Sequence, residues 1–201
     1  MIFRWISLLV FAVLLGGIGL HILLHLFTRS RRWTFRELIR AKIHVCTLLL
    51  LEQKLSPWGR FRKLVLLLAL LSFAVLFLTG FGPLFFGCRL AGWLLMIHAT
   101  FAPILAVCLA VLAFGWAGAM VFEGRSDAVL KCCFWALLVL SLPLALSMVF
   151  SMFPWFGTDG QAMLLEIHRW CALAFGSSAF LFLYLLIRRQ IGMEHQNNPV
   201  E

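Results

Sequence analysis

The chain has few charged residues and very few acidic ones. Only 12% of its 201 residues are charged and only 8 are Asp or Glu, whereas 63% are hydrophobic. A soluble domain carries about 25% charged residues, so this sequence lacks the polar surface that a water-soluble protein presents. Its mean hydropathy of +1.01 indicates an integral membrane protein.

Several motifs are also missing. The sequence contains no Cys-x-x-Cys and no Cys-x-x-Cys-His, which argues against a zinc knuckle and against covalently attached haem. It has no phosphate-binding loop, no carboxylate dyad and no nucleophile–base pair. Gly16, Gly17 and Gly19 lie inside an apolar stretch, where they predict helix packing and not nucleotide binding.

Five apolar stretches are long enough to cross a bilayer, which requires about 20 helical residues. Backbone groups in hydrocarbon must be hydrogen-bonded within the protein, which favours helices. The sequence therefore predicts an all-α integral membrane bundle with five transmembrane helices. The predicted spans are Trp5–Phe27, Leu64–Gly82, Leu90–Trp116, Cys132–Phe153 and Ala162–Ile187.

The spans divide the chain into four regions. Residues 1–28 form an additional N-terminal transmembrane helix, 29–63 a basic cytoplasmic segment, 64–189 a four-helix membrane bundle and 190–201 a polar cytoplasmic tail. The basic segment is either an amphipathic helix lying on the membrane surface or a solvated connector. Its mixture of charges and leucines is compatible with both.

Basic residues predict the orientation. Fourteen of the 17 Lys and Arg residues lie on one side of the spans, and only Arg4, Arg89 and Arg169 lie on the other. Since cytoplasmic loops are enriched in Lys and Arg, we expect an outside amino terminus and a cytoplasmic carboxyl terminus in a bacterial inner membrane. The net charge of +9 then reflects topology and contact with anionic lipid, and nucleic acid is not an expected partner.

Two histidines lie deep inside different spans and at similar depth. At a rise of 1.5 Å per residue, His98 is about 13 Å inside span three and His168 about 10 Å inside span five. Both spans run inward, so the two imidazoles can meet in the outer half of the bilayer. Two facing histidines predict axial ligation of a haem iron. Alternatively, each imidazole bonds to a backbone carbonyl of a neighbouring helix.

Other residues near the pair fit a haem site. Arg169 and Arg89 are the predicted cations for the haem propionates. Glu166 is a candidate for proton exchange with a quinone or for orienting a ligand, or it lies in the headgroup region without a role. Small residues on the same helix faces would admit the flat macrocycle: Gly92, Ala102, Ala172 and Gly176.

A second group of histidines lies near the cytoplasmic end. His21 and His25 are four residues apart and share a helix face. With His44 they could bind a second haem, or they could line a quinone pocket. The alternative is that His21 bonds to a carbonyl and His25 reaches the membrane interface.

Four short sequence patterns lie at or near the ends of the last four spans. They are the basic start at Arg60, Arg62 and Lys63, the Thr79-Gly80 pair, Gly-Trp-Leu-Leu-Met-Ile-His at 92–98 and Glu-Ile-His-Arg-Trp at 166–170. Residues 60–189 in this way resemble the membrane b-type cytochrome (gamma) subunits of formate dehydrogenases and related hydrogenases. The resemblance implies a cytochrome b-like four-helix core in which His98 and His168 are the outer haem pair. That family's inner pair has no counterpart, since Arg62 to Leu64 and Phe182 occupy those positions.

These observations together predict a membrane cytochrome subunit of a respiratory redox complex. It would transfer electrons between a periplasmic partner and the quinone pool through one bis-histidine haem b, with a second haem as an option. Other subunits, quinone and lipid are the expected partners, and the chain alone is not expected to be catalytic. The alternatives are a non-redox membrane anchor or assembly subunit, and a small proton-relay transporter.

Overall fold

A computed structural model describes residues 2–28, 57–122 and 128–194, with side chains described at 2–24, 57–116 and 128–188. These residues form five α-helices and one short 3-10 helix, and they include no strand. The helices are α1 (Ile2–Thr28), α2 (Pro57–Phe86), α3 (Gly92–Phe122), α4 (Ala128–Ser151) and α5 (Gly157–Glu194), with the 3-10 helix Pro154–Phe156 before α5.

All five helices are long and apolar enough to cross a membrane. The prediction of an all-α, multi-pass membrane bundle is therefore confirmed. Each helix extends beyond its predicted apolar span at one end or both, although α3 begins at Gly92 instead of Leu90 and α4 ends at Ser151 instead of Phe153. Helix α2 begins at Pro57, in agreement with the preference for proline at the first helical position, and α5 continues into the predicted polar tail. Residues 29–56, most of the predicted basic segment, lie outside the described residues.

The last four helices pack as two antiparallel hairpins, α2 with α3 and α4 with α5, and α1 packs against α5 and α2. We call the end that carries the turns 87–91 and 152–156 the hairpin end. The opposite end is the open end. A shared apolar core joins the two hairpins along the middle and open end of the bundle, and its buried members are Ala69, Leu105, Cys108, Leu112, Leu137 and Phe175.

A glycine ends α2 and sets the direction of the first hairpin. Gly87 has a φ of +75°, a left-handed conformation that favours glycine at a helix C-terminus. Its N–H donates to Leu84 O at 3.1 Å, and Cys88 N–H donates to Pro83 O at 2.7 Å. These two bonds form a Schellman motif, which terminates α2 and returns the chain into α3.

Helix α1 packs along the line where α2 and α5 meet, and it covers the α2–α5 seam. Its Phe11 side chain is 4% exposed and lies among aromatic rings of α2 and α5. The rings of Phe81, Phe77 and Phe180 stand edge-on to it, with centroids 5.0, 5.1 and 6.0 Å away. Arg4 adds a polar contact by donating from Nη2 to Phe85 O at 2.9 Å.

Candidate functional site

The structure brings His98 of α3 and His168 of α5 together near the hairpin end. Their ring centroids are 6.5 Å apart, and the ring planes are inclined at 73°. Both side chains are half-buried. The two hairpins contribute one ring each, so the pair spans the interface between the two halves of the bundle.

His98 is held by a threonine of its own hairpin. Thr79 Oγ1 on α2 lies 2.9 Å from His98 Nδ1, and also 2.7 Å from Val75 O one turn earlier. A carbonyl oxygen can only accept, so the single hydroxyl hydrogen of Thr79 must point to Val75. Thr79 therefore accepts a hydrogen bond from His98, whose Nδ1 carries the proton.

His168 is held in a similar way by α4. Its Nδ1 lies 3.1 Å from Leu144 O and 3.4 Å from Ser147 Oγ. Because the carbonyl oxygen is an obligate acceptor, Nδ1 of His168 is also protonated. The Ser147 hydroxyl donates to the same carbonyl at 2.9 Å, which leaves its oxygen free to accept the longer contact from the imidazole.

Both imidazoles are thus in the same tautomer. A neutral imidazole that is protonated at Nδ1 has its lone pair on Nε2. Metal-binding histidines typically donate their other N–H to a backbone carbonyl, a carboxylate or water, which fixes the ring and raises its basicity as a ligand. The pair at the hairpin end has this form on both sides, with a hydroxyl in the acceptor role beside His98.

The donor set limits which metal group the pair could hold. Among the residues that the structure describes, no group of three or more His, Cys, Asp or Glu side chains converges. Protein zinc sites use three or four such ligands, whereas a haem needs only axial ligands from the protein. A metal–nitrogen bond of about 2.0–2.1 Å puts an imidazole centroid about 3.2 Å from the metal, so rings with centroids 6.5 Å apart are close enough to share one ion.

The first turns of α3, where His98 lies, are more exposed than the middle of the helix. The flanking residues Ile97 and Ala99 of α3 are exposed, whereas Leu105 and Cys108 are buried two to three turns further along. The side chains from Trp93 to Ile97 are all exposed as well. The imidazole of His98 is therefore more covered than its immediate neighbours along α3.

Gly176 and Ala172, two of the small residues predicted to make room for a haem, face α1 and its aromatic cluster instead. Gly176 faces α1, and a Cβ there would lie 3.4 Å from Phe11 Cζ. Ala172 packs in the same aromatic cluster. The prediction that these residues form a haem slot is wrong, because the additional first helix fills their face. Gly92 is the first residue of α3, with φ +56°, and Ala102 is exposed.

The predicted propionate cations are close to the pair in sequence but differ in their contacts. Arg169 forms an exposed ion pair with Glu166, one turn before it. The carboxylate of Glu166, which was predicted to assist a quinone or to orient a ligand, is therefore engaged by Arg169. Arg89 is exposed in the α2–α3 turn. Both arginines lie at the hairpin end, and their contact with propionates stays a prediction.

The second histidine group is only partly described. His21 Nδ1 is hydrogen-bonded to Tyr184 Oη of α5 at 2.6 Å, with the rings edge-on at 5.9 Å. Tyr184 is 16 residues beyond His168, or about 24 Å along the helix, so this contact is separate from the histidine pair. The side chain of His25 and all of His44 lie outside the described residues.

The part of the four-helix bundle near the open end holds apolar side chains. A small cavity there is lined by Leu66, Leu109, Leu112, Trp116, Phe134, Leu137, Leu138 and Phe182. None of these side chains is an axial ligand for iron. The described bundle thus offers one histidine pair, at the hairpin end.

Thr79, Leu144 and Ser147 are the site residues that sequence reasoning missed. Thr79 precedes His98 by 19 residues and Ser147 precedes His168 by 21, in each case across one hairpin turn. This separation places two residues at equal depth on antiparallel helices. That spacing was the available signal. No family model matches the chain, and comparison with curated protein sequences and with solved structures finds no significant similarity.

Proposed function

We propose that this protein is a membrane b-type cytochrome that binds one haem between His98 and His168. The observation that carries the proposal is the paired imidazoles, 6.5 Å apart, each with Nδ1 directed to an acceptor on the neighbouring helix. A bound haem would supply one-electron redox chemistry, with a potential set by its ligands and surroundings.

The chain's own residues then have definite tasks. His98 and His168 would hold the iron from the two hairpins, and the Nδ1 acceptors would keep both rings in the ligating tautomer. The apolar core beyond them excludes water from the open-end side. Arg169, beside its ion pair with Glu166, and Arg89 would neutralise the propionates at the hairpin end.

The cellular setting follows from the charge distribution. By the positive-inside rule, the hairpin end would lie on the periplasmic face of a bacterial inner membrane. The haem would then exchange electrons between a periplasmic redox partner and the quinone pool, within a complex whose other subunits carry the catalytic centre. The resemblance to formate dehydrogenase and hydrogenase cytochromes supports this setting, and the apolar open end supports a single haem in the bundle.

The proton-relay alternative fits the hydrogen bonds less well. The proton of each Nδ1 points to a hydroxyl or carbonyl acceptor, and both hydroxyls donate in turn to backbone carbonyls. Within the part of the chain that the structure describes, a proton path from either imidazole therefore ends at a backbone carbonyl after one or two hydrogen bonds. The non-redox anchor has no specific contact in its favour, but it shares the same fold, so spectroscopy must separate the two functions.

The test is the dithionite-reduced minus oxidised spectrum of the purified protein, with haem quantified per chain. We expect a b-type band and about one haem. His98→Ala and His168→Ala should each abolish it, while His195→Ala in the polar tail serves as the control. A purified, folded protein without any haem band, or full haem retention in both single variants, would refute the proposal.

A further inference from the structure

The two histidines are not held equally, and the difference lies in α2. Beneath His98 the helix presents the consecutive residues Thr79 and Gly80. Thr79 is 7% exposed and its hydroxyl oxygen is 2.9 Å from Nδ1. Gly80 lies under the ring itself, since a Cβ built on it would be 3.2 Å from His98 Cε1 and 3.7 Å from Nδ1.

The hydroxyl of Thr79 is oriented by its own helix. Its hydrogen is bonded to Val75 O at 2.7 Å, so the oxygen presents lone pairs toward α3. No other acceptor for His98 Nδ1 occurs among the described residues. A single side-chain oxygen therefore determines which nitrogen of this ring carries the proton.

His168 has a different arrangement. Its nearer acceptor is the main-chain carbonyl of Leu144 at 3.1 Å, and Ser147 contributes only the longer contact of 3.4 Å. No substitution of a side chain removes a backbone carbonyl. The tautomer of His168 is thus fixed by the fold, whereas that of His98 depends on one hydroxyl group.

We propose that Thr79 and Gly80 are positioning residues that fix the tautomer and the ring plane of His98. This inference rests on the proposed function, because it extends to the haem that His98 would bind. An acceptor on Nδ1–H makes the imidazole a stronger donor to iron, which favours the ferric state. Loss of that acceptor is therefore expected to raise the midpoint potential.

The first test uses the haem-free protein, so that it does not depend on the proposed function. ¹⁵N-histidine NMR of the full chain in lipid should report Nδ1 protonation for both His98 and His168. In Thr79→Val, which keeps the shape but lacks the acceptor, the His98 signal should change while that of His168 stays. An unchanged His98 signal in this variant would overturn the tautomer assignment.

The second test uses the haem-loaded protein and measures the midpoint potential and the low-spin EPR signal. Thr79→Val should raise the midpoint potential, and Thr79→Ser should keep the wild-type value. Ser147→Ala should raise the potential by less than Thr79→Val does. Equal potentials for wild type and a haem-loaded Thr79→Val would overturn the inference. Wild-type protein without haem would instead refute the proposed function and leave the NMR result to decide the positioning role.

Gly80 supplies an independent variant in case Thr79→Val does not accumulate. In Gly80→Ala the new methyl is close enough that the His98 ring must move by a few tenths of an ångström. We expect retained haem with an altered EPR signal, because that signal depends on the angle between the imidazole planes. Gly82→Ala is the matched control, since nothing lies within 4 Å of a Cβ there. Identical spectra for the two alanine variants would contradict the role of Gly80.

Discussion

Phe11 is the best position at which to measure what holds α1 against the bundle. Its ring is 4% exposed and stands edge-on to Phe77, Phe81 and Phe180 at centroid distances of 5.0 to 6.0 Å. We expect Phe11→Ala to weaken the docking of α1 strongly, because no other side chain described at 2–24 combines such burial with so many ring contacts.

The magnitude follows from packing alone. Lipid tails are as apolar as the protein core, so leaving the core costs little transfer free energy in a membrane. The cavity that remains costs about 24 cal/mol per Å³, and removal of the ring empties on the order of 100 Å³, which gives about 2.4 kcal/mol. The lost edge-to-face contacts, each worth about 0.5–1.5 kcal/mol beyond burial, add to this loss.

Equilibrium unfolding in mixed micelles of dodecylmaltoside and SDS measures this quantity. Leu9→Ala is the matched control on the same helix, because Leu9 is 64% exposed, and it should change the unfolding free energy by less than about 0.5 kcal/mol. If Phe11→Ala and Leu9→Ala cost the same, then the aromatic cluster does not hold α1, and the closure of the α2–α5 seam is misassigned.

Three further predictions test other parts of the molecule. Ser72 Oγ is buried without a hydrogen-bond partner among the described residues, so Ser72→Ala should leave the unfolding free energy unchanged or raise it. A loss above about 1 kcal/mol would reveal a hidden partner. Tyr184→Phe removes the 2.6 Å bond to His21 and should cost about 0.6 kcal/mol, at most about 1.7, in the same unfolding assay; a cost above that range would contradict a simple interhelical bond. Cys88, exposed in the α2–α3 turn, should react with an impermeant maleimide in right-side-out vesicles once the other cysteines are replaced, whereas a cysteine introduced at Asn197 should not, and the reverse labelling would invert the orientation.

The fold was largely predictable because hydrocarbon allows few backbone solutions. Five apolar stretches predicted five helices, and all five are present. The helix ends were less predictable, since local features such as Pro57 and Gly87 determine where α2 begins and ends. The approach of His98 to His168 was also predictable, because helices that run in the same direction place residues of equal depth at one level.

The surroundings of the pair were not predictable in the same way. A hydroxyl such as that of Thr79 can always bond to a carbonyl of its own helix, so its presence in a span carries no signal by itself. Its role depends on which helix lies beside it. The face of Gly176 was misassigned for the same reason, because composition shows a groove but does not show that Phe11 of α1 fills it.

The division of the ligands between two hairpins has a consequence for biogenesis. The bundle is made in chain order, and His168 belongs to α5, which is synthesised after α2, α3 and α4. A group bound by both rings can be captured only after α5 has been inserted. Its binding free energy would then stabilise the association of the two hairpins. If the proposed function holds, loading of the group would report that both hairpins have been inserted and paired, and unloaded chains would keep the apolar contacts of the described core between the hairpins.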